Sequence, residues 1–167
     1  MTKKIQILLI CTLFMLLLSG CTYTGINDLP LFLENFNSKS GASLHAEAEN
    51  LVIHPEEKEK IYYLFFPANN EGEYMVTLNE NEEGEIYKCG ICIISSIDVN
   101  TKTVKKLFVS ELCALKDVSE ASADSIFSEL DLNNAKTYKS TVNVKKEMSD
   151  YTVELIVNDA GAGIYIY

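Results

Sequence analysis

Residues 60–67 read Lys60-Ile61-Tyr62-Tyr63-Leu64-Phe65-Phe66-Pro67. The run is β-branched and aromatic with rings on both faces, and a turn-rich break follows at 68–72, so it reads as a strand. Working forward, strands are expected at 74–78, 85–97 and 103–115, with breaks at 79–84 and 98–102. Ser119 or Ser122 then caps a helix whose Ala123, Ile126, Phe127 and Leu130 sit at i, i+3, i+4 and i+7, with Asn133-Asn134 as its end. Three further strands are expected at 136–145, 151–158 and 163–167.

Working backward, Leu44, Ala46 and Ala48 alternate with His45, Glu47 and Glu49, the pattern of a half-exposed strand. Before it, Leu29, Phe32, Leu33 and Phe36 repeat the same helical spacing. Asp28 or Asn27 caps this helix, Pro30 lies in its first turn, and Gly41 stops it. Hairpin-length connections favour antiparallel pairing. The expected fold is therefore α+β: an antiparallel sheet with two short helices packed on one face. The two apolar quartets lie 94 residues apart, position for position, which hints at a duplicated helix-plus-sheet unit.

The chain has 167 residues with formal charge −10, and all its basic residues are lysines. The apolar residues are unevenly shared, because the first 20 positions hold a dense block of them. Setting that block aside with Lys3 and Lys4 leaves 147 residues, 12 lysines and 24 acids. That length makes one domain, placed at 28–167, with a real core. A net charge of −12 without arginine excludes a nucleic-acid footprint.

The amino terminus carries a targeting signal. Lys3-Lys4 precede an apolar stretch of 14 residues, 5–18, which ends in Ser19-Gly20-Cys21. Positive, then apolar, then small is the layout of a secretory signal peptide, and 14 residues fall short of a membrane span. Leu18-Ser19-Gly20-Cys21 resembles the lipobox of bacterial lipoproteins. That resemblance covers only residues 1–21. It implies diacylglyceryl attachment at Cys21, cleavage of 1–20, and a lipid anchor at the extracytoplasmic face of the cell membrane. Residues 21–27 would then be a short tether that holds the domain within roughly 20 Å of the headgroups.

The chemistry-bearing residues are few. Cys89-Gly90-Ile91-Cys92 has the C-x-x-C spacing, but Ile93, Ile94 and Ile97 continue it as a strand and not as the helix start that activates such a thiolate. In a strand, 89 and 92 face opposite ways. If 85–97 and 103–115 formed a hairpin, Cys89 would lie near Cys113. Buried thiols or a Cys89–Cys113 bridge are thus the leading readings, with other pairings next and redox catalysis last. His45, Glu47 and Glu49 on one strand face are weak candidates for a divalent cation; the plainer reading is a polar outer face of an edge strand. Asn79, Asn81, Glu83 and Gly84 mimic the opening of a calcium loop, but Gly90 stands where its last carboxylate belongs.

No catalytic residue is singled out: the two histidines are His45 and His54, and there is no G-x-S-x-G. The expectation is a membrane-anchored envelope lipoprotein, not an enzyme and without a cofactor. It would act as a binding or interaction module toward an envelope protein or glycan, with Tyr62, Tyr63, Phe65, Phe66, Tyr165 and Tyr167 as the aromatic supply. A small-ligand or cation-binding lipoprotein is the rival reading.

Overall fold

Asp28 opens the first helix as expected: its Oδ1 accepts the Leu31 N–H at 2.9 Å, Pro30 occupies the first turn, and Gly41 ends the helix at φ +74°. The computed structural model describes residues 28–55, 59–68, 72–94, 100–132, 142–158 and 161–167. The leader, Cys21, the tether, Asn133-Asn134 and the first part of the expected strand at 136–145 lie outside them. The elements are α1 (Leu29–Ser40), β1 (Val52–Pro55), β2 (Lys60–Ala68), β3 (Gly72–Glu80), β4 (Ile86–Ile94), α2 (Thr101–Lys116), α3 (Glu120–Leu130), β5 (Val142–Glu147), β6 (Thr152–Asn158) and β7 (Gly161–Ile166). All seven strands join one antiparallel sheet in the order β1-β2-β3-β4-β7-β6-β5. The fold is α+β, built from two β-meanders whose last strands meet at the centre.

Two expectations are corrected. Residues 44–48 are not a strand; two short 3₁₀ turns, Ala42–Leu44 and Ala48–Asn50, occupy that stretch. Asn37 pins it from α1, donating Nδ2 to the Ala46 carbonyl at 2.8 Å and accepting the Ala46 N–H at 2.7 Å. Leu44 and Ala46 are buried by that tuck, and the edge strand comes later, at β1.

Residues 103–115 are helical, so among the described residues three helices, not two, cover the sheet. In α2 the buried positions Val104, Leu107 and Phe108 stand at i, i+3 and i+4, but the i+7 place holds Glu111, where α1 has Phe36 and α3 has Leu130. That acid leaves the quartet incomplete, although Leu112 and Leu115, at i+8 and i+11, carry the helical stripe onward. Asn100 caps α2 with Oδ1, and its own N–H donates to Tyr74 Oη at 2.8 Å, fixing the helix start to β3. α2 packs on β4 with α1 and α3 beside it. Phe36 stacks on Phe66 at 5.8 Å and Phe108 meets Phe127 at 5.5 Å.

The sheet register is close to two-fold symmetric. Around the Ile91–Ile164 pair, Gly90 lies opposite Tyr165 and Gly163 lies opposite Cys92, so Gly90-Ile91-Cys92-Ile93 and Gly163-Ile164-Tyr165-Ile166 are exchanged. The next strands obey the same rule: Val76 and Thr77 flank the first motif as Leu155 and Ile156 flank the second. The two motifs stand 73 residues apart, against 94 for the helix quartets, so sheet and helices do not repeat at one spacing.

Because Cys113 is on a helix, the hairpin that would have set it beside Cys89 does not exist. Cys89, Cys92 and Cys113 are all free thiols. The protein denatured without reductant should therefore take three alkyl labels at these positions by peptide mass spectrometry. A Cys89–Cys113 bridge would leave Cys92 alone labelled.

Candidate functional site

The helices cover one face of the sheet. Tyr62, Leu64, Phe66, Val76, Leu78, Ile91, Ile93, Ile164 and Ile166 turn toward them and are buried. Strand alternation sends Tyr63, Phe65, Met75, Thr77, Cys92, Ile156 and Tyr165 to the other face, which no helix among the described residues covers. Phe65 is 46% exposed there, and Val52, paired with Tyr63, extends the apolar patch to the sheet edge at 55% exposure.

Tyr165 is the centre of this face. Its ring lies flat on two glycines: a Cβ at Gly90 or Gly163 would come within 2.6 Å of it. The glycines leave room for the ring, and the ring shields backbone that they leave bare. Lys88 Nζ stands 5.8 Å from the Tyr165 centroid and 5.9 Å from that of Tyr167, within cation–π range of both. Glu154 continues the network, accepting from Tyr167 Oη at 3.1 Å and from Asn143 Nδ2 at 2.7 Å. Beside Tyr165 lies a shallow depression of about 200 Å³ lined by Cys92, Ile156, Asn158, Gly161 and Gly163. Burial, with Cys92 next to it, pushes the Tyr165 hydroxyl up to about 12.

A second concavity lies in the helical layer. This half-open groove of about 590 Å³ runs between α1 and the α2–α3 corner, lined by Leu31, Asn35, Cys113, Asp117 and Val118 and spanned by the Lys39–Glu120 ion pair at 3.0 Å.

The thiols are all shifted away from thiolate chemistry. Burial raises Cys92 and Cys113, and it raises Cys89 well above the usual range, with Glu111 adding to the effect. As the spacing implied, Cys89 faces the helices and Cys92 the open side; Cys92 Sγ lies 3.9 Å from Tyr165 Oη. His45, Glu47 and Glu49 are all exposed on the 3₁₀ segment and share no strand face. Among the described residues no three His, Cys, Asp or Glu side chains are grouped to hold a metal ion. The acidic 79–85 stretch is a hairpin turn: Asn81 exchanges backbone and side-chain hydrogen bonds with Glu85, and Gly84 supplies φ +85°.

Sequence reasoning missed two residues that shape the molecule. Glu111 is fully buried against β4 with no nitrogen or oxygen donor at its carboxyl, only the Cys89 thiol. Glu80 is buried at the β2–β3 end, where burial pushes its carboxyl up but Lys60 and Tyr62 outweigh that and hold it low; Tyr62 Oη donates to it at 2.6 Å. The gap in the helical quartet at Glu111 was a visible signal; nothing in the sequence marked Glu80.

Replacing Gly163 with Ala in the native chain should cost about 1–3 kcal/mol by overpacking against Tyr165. In a Tyr165→Ala background the same change should be neutral or stabilising, read by urea denaturation as a double-mutant cycle. Equal costs in both backgrounds would show that the ring does not occupy the glycine surface. The chain matches no family model, no curated protein and no solved structure, so its functional reading rests on this geometry.

Proposed function

We propose that the chain is a lipoprotein anchored through Cys21 at the extracytoplasmic face of the cell membrane. In this reading the uncovered sheet face is the surface by which it engages an envelope partner. The observation that carries the reading is the one-sided sheet, whose outer face sets half-buried Tyr63, Met75, Ile156 and Tyr165 in one field with the exposed Phe65. Contiguous apolar surface left open in this way marks interaction sites in soluble domains. Its spread over β2, β3, β6 and β7 suits a protein partner. Glycan stacking, the other envelope chemistry, would centre on Tyr165 and Tyr167. The acidic charge and absence of arginine support a partner other than nucleic acid.

The groove beside Cys113 favours the rival reading of a small-ligand lipoprotein, since its volume falls in the range of ligand pockets. The two are separable. Photo-crosslinking residues placed at Phe65 and Ile156 of the membrane-bound chain should give a discrete adduct, and one placed at Glu129 on the helical layer should give none. Adducts from Lys39 in place of the sheet positions would move the function to the groove.

Anchoring has its own check. The intact mass of the detergent-extracted chain should begin at a diacylglyceryl Cys21, and Cys21→Ala should retain residues 1–20. An unmodified wild-type chain that still carries 1–20 would overturn the lipoprotein reading.

A further inference from the structure

We propose that the proton on Glu111 is a latch for the seam between α2 and β4: while the carboxyl is neutral α2 stays seated on the sheet, and loss of that proton to solvent releases it. The geometry is one-sided. Glu111 is fully buried, it occupies the apolar i+7 place of the helix face that meets the sheet, and no nitrogen or oxygen donor reaches either of its oxygens, whose polar partner is the weakly donating Cys89 thiol. An ionised carboxylate in that position has neither water nor a counter-charge, which makes the charged form incompatible with the closed seam.

The groups facing it offset burial only weakly. From β4 the Cys89 thiol donates to the carboxyl and favours its charged form, but burial outweighs it, and Cys92 lies on the far side of the same strand. Lys116, in the last turn of α2, bears on Cys89. Neither α1 nor α3 brings a charged side chain to bear on Glu111 among the described residues. Burial accordingly holds the carboxyl well above the usual range.

The sign follows from linkage. An exposed glutamate ionises near pH 4.3, so the opened or unfolded chain sheds this proton above about that value while the closed seam keeps it. The proton-linked stabilisation is fully present below about pH 4.3 and declines as pH rises toward the folded-state value. The seam is therefore tightest in acid, opposite to the usual behaviour of paired surface carboxylates.

Cys89 is a built-in reporter, because its fully buried thiol can be alkylated only when the seam opens. The experiment measures Cys89 alkylation in the full-length, detergent-solubilised chain with Cys92→Ser, comparing Glu111 with Glu111→Gln between pH 6 and 8. The intrinsic pH dependence of the thiol cancels in the ratio of the two rates. Release of one proton per opening makes that ratio rise with pH, by up to about tenfold per pH unit for as long as the closed seam keeps its proton. Glu111→Leu, which also removes the proton, should give the same slope and guards against a poorly folded glutamine variant. A flat ratio against both variants overturns the latch. So does a urea dependence of trapping as steep as that of global unfolding, because the seam would then not open separately.

Discussion

Seven strands present two faces to be covered, and the three described helices cover one of them. That asymmetry organises the molecule. The core lies in a single layer between sheet and helices, with Tyr74, Leu78, Ile91, Phe108, Leu112, Ile164 and Ile166 all fully buried there. α2 is the central piece, because it packs on β4, the strand that pairs with β7 to join the two meanders. Everything inward is fixed by burial, and everything outward is left to solvent or to a partner.

The central helix is also where the interior departs from good packing practice. Of the buried side-chain polar atoms in the described residues, Ser40 Oγ and the two Glu111 oxygens lack a nitrogen or oxygen partner, and Glu111 has only the Cys89 thiol. A leucine at 111 would complete the apolar quartet and remove the desolvation penalty. A buried acid held neutral is tolerated because protonation costs less than charge in such a site, and it ties the packing of α2 to pH. The partially buried Glu80 shows the contrast. Supplied with Lys60 and the Tyr62 hydroxyl, it remains in its charged form.

On the outer face the pseudo-symmetric centre has been used asymmetrically. The two motifs place Cys92 and Tyr165 at equivalent positions over equivalent glycines, yet one large ring covers both glycines and the thiol merely abuts it. The ring brings Lys88 and Tyr167 into one aromatic–cationic cluster and leaves a depression along β7. An aromatic laid on bare backbone is half shield and half exposed apolar surface, and its rigid seat lowers the entropy cost of any contact made to it.

Much of this was legible in the residues. The α+β class, the first helix with its Asp28 cap and Gly41 stop, the Ser119-capped helix, and strands expected at 60–67, 74–78, 85–97 and 151–158 and found at 60–68, 72–80, 86–94 and 152–158 follow from local periodicity and caps. They could be read because each buries one regular stripe, which a 3.6- or 2-residue period records in sequence. What failed to be legible failed for definite reasons. Residues 44–48 alternate because Asn37 tucks Ala46 under the helix and not because a neighbouring strand pairs with them. α2 was misread as a strand because Glu111 leaves its apolar quartet incomplete, although Leu112 and Leu115 continue the helical stripe, and with the helix went the true placement of Cys113. Strand order, the near two-fold register, the seat of Tyr165 and the isolation of Glu111 arise from contacts between residues scores of positions apart. Local pattern fixes which faces of an element are apolar, whereas only tertiary packing decides which of those faces meet.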